Sequence, residues 1–330
     1  MKTRSPKLEV VTFGEILWDV YETQRGVFVR ELGGAPANVA VNLGQVGVKS
    51  AVVGGVGRDR FGDDLREFLA QHHVDPRFAL RFPNRTGLAF VTRDAHGEPS
   101  FLFYRHETAD MAMRARDVTP VMGNAHWALI GTSTLVSRPL AASTHAFMQS
   151  ARNSSAKLVV DLNVRAHLWK DRSGMQNAIA SVLKHAVLVK ASTADLAALD
   201  LGRESKALAW VRSKGKNASI VLTRGSEEAT AIGEHGEISV KTKRVKCVDA
   251  TGAGDAFIAG VLASLLAAES QPGSAAWRDP EIWTRALEVG HILGGVAVSK
   301  RGAVSAIADL PKNRLEKIRK RLRRMRKERT

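Results

Sequence analysis

A chain of 330 residues with 44% hydrophobic and 25% charged content matches an ordinary globular protein and is long enough for a sizeable core, in one large or two ordinary domains. Its single cysteine, Cys247, excludes an intrachain disulfide and a multi-cysteine zinc site, and residues 1–7 lack the apolar core of a secretory signal, so we expect a cytoplasmic protein. No apolar run approaches the ~20 residues of a membrane span; the formal net charge is +16, of which +9 falls in residues 312–330, with eleven Lys or Arg and two Glu.

In chain order, residues 10–13 read as a strand, 20–32 as a β-prone stretch without helical period, and 38–43 as a helix of small residues. Strands follow at 50–53, 127–131, 158–161, 187–190 and 219–223, with helical stretches at 63–72, 138–152, 175–185, 192–199 and 205–213. A second β-prone stretch covers 87–104, with turn residues at Asp94-Ala95-His96-Gly97. The run 238–248 alternates apolar residues with Lys and Arg and reads as a strand that buries Cys247 by packing. Helical segments close the chain at 256–268 and 277–299. In the tail, Leu315, Ile318, Leu322 and Met325 recur at three- and four-residue steps, which predicts an amphipathic helix.

Alternation of this kind predicts a mostly parallel sheet with helices on both faces. Asp161, Lys190, Thr223 and Asp249 lie near strand ends, where ligands of open α/β sheets bind. The stretches 20–32 and 87–104 read as a small sheet apart from the layers. The basic tail fits a solvated helix with a packed stripe, docked on its own domain, or a surface for RNA or anionic membrane.

The chemistry concentrates at Asp249-Ala250-Thr251-Gly252-Ala253-Gly254-Asp255. Small residues here turn a strand into an apolar helix and expose its first N–H groups, a ready anion site. No Gly-Lys-Ser/Thr follows, which excludes a P-loop, and Phe257 stands where a dinucleotide fingerprint needs a third glycine. A carboxylate inside an anion site makes sense if Asp255 takes a proton from a hydroxyl while the amides of Gly252, Ala253 and Gly254 neutralise a transferring phosphoryl group. A structural turn with an ordinary first-turn acid is the other reading.

A second Gly-Gly turn, Glu31-Leu32-Gly33-Gly34-Ala35-Pro36-Ala37-Asn38, again leads into a small-residue helix. Together the two motifs resemble the paired signatures of the PfkB (ribokinase-like) carbohydrate kinases, over roughly residues 10–311. Gly14-Glu15 with Asp19, Phe103-Tyr104-Arg105 with Asp110-Met111, and Asp161-Leu162-Asn163-Val164-Arg165 with Leu168-Trp169 are similar to the fructokinase group.

That resemblance implies a three-layer αβα fold over residues 1–311, with a β-sheet lid at about 20–32 and 87–105 that covers the sugar and joins two copies. It implies transfer of phosphate from ATP, with Mg²⁺, to a sugar hydroxyl, foremost D-fructose to fructose 6-phosphate. Asp255 would be the base. Asp19, Gly33, Gly34, Asn38, Tyr104, Arg105, Asn163 and Arg165 would bind sugar, although Asn38 alone also reads as a helix cap. Arg105 and Arg165 also suit the carboxylate of 2-keto-3-deoxygluconate. Ser192, Thr223, Gly225, Ser226, Gly254 and His291 would hold the nucleotide; a histidine in an apolar helix otherwise reads as core.

Two positions depart from the family pattern. Asp195 stands where a metal-organising Glu is usual and would reach Mg²⁺ through water. In Lys300-Arg301-Gly302-Ala303-Val304-Ser305-Ala306, a serine replaces the family's proline. Asp249 and Thr251 would join this loop around K⁺. A weakly active kinase-like protein that binds nucleic acid through residues 312–330 is the alternative of another class.

Overall fold

A computed structural model describes residues 8–93, 99–118 and 125–327. Strand β1 (Val10–Phe13) is followed by the antiparallel pair β2 (Leu17–Gln24) and β3 (Val27–Gly33), then helix α1 (Ala35–Gln45). Strand β4 (Ser50–Gly57), helix α2 (Arg60–Gln71) and β5 (Ala79–Phe82) precede β6 (Leu88–Arg93), β7 (Pro99–Tyr104) and the short α3 (Ala115–Val118). Then come β8 (Trp127–Gly131), α4 (Arg138–Asn153), β9 (Lys157–Asp161), α5 (Arg172–Leu183), β10 (Leu188–Ser192), α6 (Thr193–Ala198), α7 (Glu204–Lys214) and β11 (Ser219–Thr223). After the hairpin β12 (Glu228–Gly233) and β13 (Gly236–Lys241) come α8 (Ala253–Ala267), α9 (Ala275–Arg278), α10 (Pro280–Ala297), α11 (Ser305–Ala308) and α12 (Lys312–Lys327).

Nine strands form one sheet in the order β13-β12-β11-β10-β9-β8-β1-β4-β5, antiparallel only at β11-β12-β13. Its central strands are apolar on both faces because helices cover both. Val11, Phe13, Ile130, Val160, Val189 and Leu222 point into the core under α4, α5, α6 and α7. Their neighbours Val10, Leu129, Val159, Leu188 and Val221 point the other way, toward α1, α8, α10 and α12. Helix α8 is buried almost all round, which explains why it carries no polar stripe.

The second sheet has the order β3-β2-β6-β7, so the two β-prone stretches pair with each other. The turn residues 94–97 lie outside the described residues. The expected strand around Cys247 is corrected: β13 ends at Lys241, and Cys247 is exposed in the following loop. β13 is an edge strand, and its ladder with β12 stops at Glu228 opposite Lys241; Thr242 N–H still donates to Glu227 O at 2.9 Å, but Val248 N–H turns to Val298 O at 2.7 Å, so the later residues leave the sheet. The segment 277–299 is broken at Asp279-Pro280, where the Asp279 carboxylate accepts the Glu281 N–H at 2.9 Å and Pro280 starts α10. In the tail helix Ile318, Leu322 and Met325 are buried in the α8 core.

Candidate active site

Helix α8 begins at Gly252, whose φ of 75° is left-handed. A Cβ there would lie 2.4 Å from the Cβ of Ala303, so both backbone and space require glycine. Ala253 N–H donates to Ala250 O at 3.2 Å; the first-turn donors with no helical partner are those of Gly254 and Asp255. Asp255 is buried, and its Oδ2 accepts a hydrogen bond from Asn38 Nδ2 of α1 at 2.9 Å. Burial holds its carboxyl above the usual range, against the pull of Asn38, Lys190 and Arg165.

Lys190, in the middle of β10, lies beneath this helix start. The position a Cβ would take on Gly254 is 2.8 Å from Lys190 Nζ. Lys190 is register neighbour to Asp161 of β9, and the two form a buried ion pair at 3.1 Å. Burial pushes Asp161 up to about 6, opposed by Lys190 and helped by Asp195 and Asp255. The helix N–H groups are the anion-attracting element here; the Lys190 ammonium beside them is already partnered by Asp161.

Of the expected sugar group, Asn38 touches Asp255 directly, and Asp19 lies on the lid strand β2. Asp19, on β2, is buried, and a Cβ on Gly33 would fall 2.4 Å from its Oδ1. Burial, then the carboxylates of Asp255, Asp249 and Glu15, drive the Asp19 carboxyl well above its usual range, while Arg165 opposes them. Glu15 and Arg165 act on both Asp19 and Asp255, and Asp255 acts on Asp19. Asn163 follows β9 with a φ of 33°, and Gly34 opens α1. Arg105 is buried and bound to Asp110 through Nε at 2.7 Å and Nη2 at 2.5 Å, with Glu15 at 3.9 Å. Tyr104 is 58% exposed and packs its ring edge-on to Phe90, so it belongs to the lid surface rather than to the buried group.

On the opposite side, Ser192 and Thr223 are register neighbours at the ends of β10 and β11. Gly225 (φ 55°) and Ser226 lie exposed in the turn beyond. His291 is half-buried on α10, and its Nε2 bonds to Val240 O at 2.9 Å. Burial lowers its pKa, opposed by this bond; because a carbonyl only accepts, the ring Nε2–H donates. Val245, Val248 and Ile292 expose apolar surface in the adjoining loop and helix.

The residues proposed for cations are already engaged. Asp195 Oδ1 accepts Val164 N–H at 2.7 Å, and its Oδ2 accepts Ser192 N–H at 2.8 Å and Ser192 Oγ at 2.7 Å. It therefore orders two strand-end loops and does not fit a direct Mg²⁺ ligand. Asp249 Oδ1 accepts Thr251 N–H at 3.1 Å and Oγ1 at 2.8 Å, and its Oδ2 accepts Gly302 N–H at 3.1 Å. These oxygens, with loop carbonyls, are the hard donors a group I cation takes. Among the described residues no cluster of three His, Cys, Asp or Glu side chains could hold a metal.

A buried carboxylate at the start of a helix, beside Asn38 of a second small-residue helix on an open α/β sheet, fits a small-molecule phosphotransferase. The chain belongs to the pfkB family of carbohydrate kinases, whose profile matches residues 7–310, and it is a sugar kinase. It is 32% identical over 321 residues to a probable fructokinase-7 of Arabidopsis thaliana, covering 93% of this chain and 92% of the other. A fructokinase of Xylella fastidiosa with bound ATP is 28% identical, with a TM-score of 0.82 over 94% of this chain and 98% of that one. A double mutant of the Vibrio cholerae fructokinase bound to fructose, ADP and potassium is 26% identical, with a TM-score of 0.83 over 96% and 99%.

Sequence reasoning placed Lys190 only near a strand end and assigned it no role. A lysine closing the apolar run 187–189 was the available signal. Glu15 and Asp110, the partners of Arg105, were quoted in motifs but likewise given no role.

Proposed function

We propose that this enzyme phosphorylates D-fructose at its 6-hydroxyl with Mg·ATP as co-substrate. The observation that carries the reading is the Asn38–Asp255 bond, which joins the two motif helices at one buried carboxylate beside the α8 amides. Asp255 would take the proton of the attacking hydroxyl, its raised pKa making it a better base. The Gly254 and Asp255 N–H groups and Lys190 would receive the charge that builds on the phosphoryl oxygens. Asp19 and Asn38 would bind neighbouring sugar hydroxyls, and Arg165 would lower the cost of two carboxylates in one pocket. Val245, Val248 and Ile292 offer apolar faces to a purine beside His291, with Thr223, Gly225, Ser226 and Ser192 toward the phosphates. Mg²⁺ would enter with the nucleotide, contacting Asp195 only through water. K⁺ bound at Asp249 and Thr251 would add positive charge behind the amides.

Fructose is favoured over 2-keto-3-deoxygluconate because Arg105, one of the two arginines a carboxylate clamp would use with Arg165, is already neutralised by Asp110 and Glu15. A clamp for a substrate carboxylate needs a guanidinium with free donors. The lid surface exposes Phe28, Leu102 and Tyr104 around Phe90, an apolar patch that supports pairing of two copies. The tail supports a strut rather than a nucleic-acid arm. Its apolar stripe is spent on the core, and Arg319, Arg321 and Arg323 bond to Gln45 O, Glu288 and Glu316.

A panel of fructose, ribose, mannose, aminosugars and 2-keto-3-deoxygluconate, assayed by coupled ADP release, tests the reading. Fructose should give the highest kcat/KM. Turnover confined to the keto acid, or to no sugar, would contradict it.

A further inference from the structure

Glu31 lies at the base of the lid, two residues before the Gly33-Gly34 turn. Ser305 opens α11 in the loop behind the anion cradle. The Ser305 hydroxyl donates to Glu31 Oε2 at 2.5 Å, joining residues 274 positions apart. Gly302, in the same loop, also lies against Glu31: a Cβ there would sit 2.9 Å from Glu31 Cγ. The loop's other side touches the phosphate machinery. Gly302 N–H donates to Asp249 Oδ2 at 3.1 Å, and Ala303 packs against Gly252. One four-residue loop thus contacts the sugar-side turn's strand and the start of α8. Burial, with Asp309 and Asp249 nearby, raises the Glu31 carboxyl from its usual range, while the Ser305 hydroxyl and Arg301 oppose the rise.

We propose that Ser305 and Glu31 form a latch that couples nucleotide occupancy at the α8 amides to the position of the Gly33-Gly34 turn. The inference rests on the sugar-kinase reading and adds two positioning residues to it. Neither touches a substrate: Ser305 acts through Ala303 and Gly252, and Glu31 through the strand that ends at Gly33. Within this proposal the lid rocks on its entering strands, and a bond between its base and the loop behind α8 biases both sites toward the same arrangement. By linkage, whatever tightens one site through the latch must tighten the other. A proline at position 305, as in the family pattern, has no hydroxyl and could not make the bond, so the latch follows from this chain's own serine.

The test is hydrogen exchange of residues 31–35 with and without a non-hydrolysable ATP analogue and Mg²⁺. The proteins compared are wild type, S305A, S305P, S305T and E31Q. Position 305 is the first of α11, where no helical N–H bond is lost to proline, but Val304 before it has a ψ of −18° that a following proline disfavours, so S305A is the decisive variant and S305P is read beside it. The nucleotide should slow exchange on the order of tenfold in wild type, S305T and E31Q, which keep a donor and an acceptor, and this protection should vanish in S305A and S305P. The analogue's Kd should change less than about threefold in all five, since none of these residues contacts it. Sugar KM should rise on the order of tenfold in S305A and S305P, with kcat within about threefold. Equal protection in S305A and wild type, or none in wild type, overturns the latch. Absence of turnover on every sugar overturns the functional reading separately, because the exchange readout needs no sugar.

Discussion

At the scale of single residues, the site is held together by charges that burial makes expensive. Asp19 and Asp255 both have carboxyls raised by desolvation. A group whose folded pKa is raised contributes stability that is full below its unfolded value and lost as pH rises through the folded value. The ionised carboxylates therefore destabilise the neutral-pH enzyme, so D255N should raise Tm at pH 8 by roughly 1–4 °C. The gain should shrink as pH falls; differential scanning fluorimetry across pH 4–8 reads it, and a pH-independent loss in Tm would contradict it. Lys190 carries the opposite cost. K190M strands Asp161 in the core and should lose about 3 kcal/mol in urea unfolding. The double variant K190M/D161N should recover most of that stability, yet turnover should stay about 10²-fold low because the phosphoryl charge has lost its cation. Recovery of turnover with stability would make Lys190 structural only.

At the scale of elements, the strands β1, β8 and β11 stand where apolar runs bounded by turns predicted them, because buried parallel strands write themselves as continuous apolar segments. The convergence of Asp255 and Asn38 was legible because two Gly-rich turns demand particular backbones. The Lys190–Asp161 pair was not, since it depends on which strands become neighbours and in what register. Nor was the end of β13, which is set by its partner strand rather than by its own alternation. The Ser305–Glu31 bond was invisible for the same reason: a lost proline is readable, but the hydroxyl's partner comes from tertiary packing. The tail helix belongs here too. Leu322 and Met325 are buried against α8, so L322A should cost about 2–4 kcal/mol in urea unfolding. Deleting residues 312–330 should lower Tm while leaving sugar KM within about threefold, because α12 does not reach the site. A truncated enzyme with unchanged Tm would mean that the stripe is not packed.

At the scale of the whole molecule, the large sheet, the lid and the C-terminal helices meet at one buried carboxylate. The lid brings Asp19, α1 brings Asn38, α8 brings Asp255 and the amides, and β10 brings Lys190. The loop at 302–305 ties the lid's base to that helix start. Among the described residues no helix is long and apolar enough to cross a membrane. The most direct measurement is ³¹P NMR of fructose and Mg·ATP with wild type and D255A, alongside the nucleotide Kd of each. Wild type should form fructose 6-phosphate and ADP in equal amounts, and D255A should bind nucleotide within about threefold yet turn over ~10²–10⁴-fold more slowly. D255A turning over as fast as wild type would contradict the account.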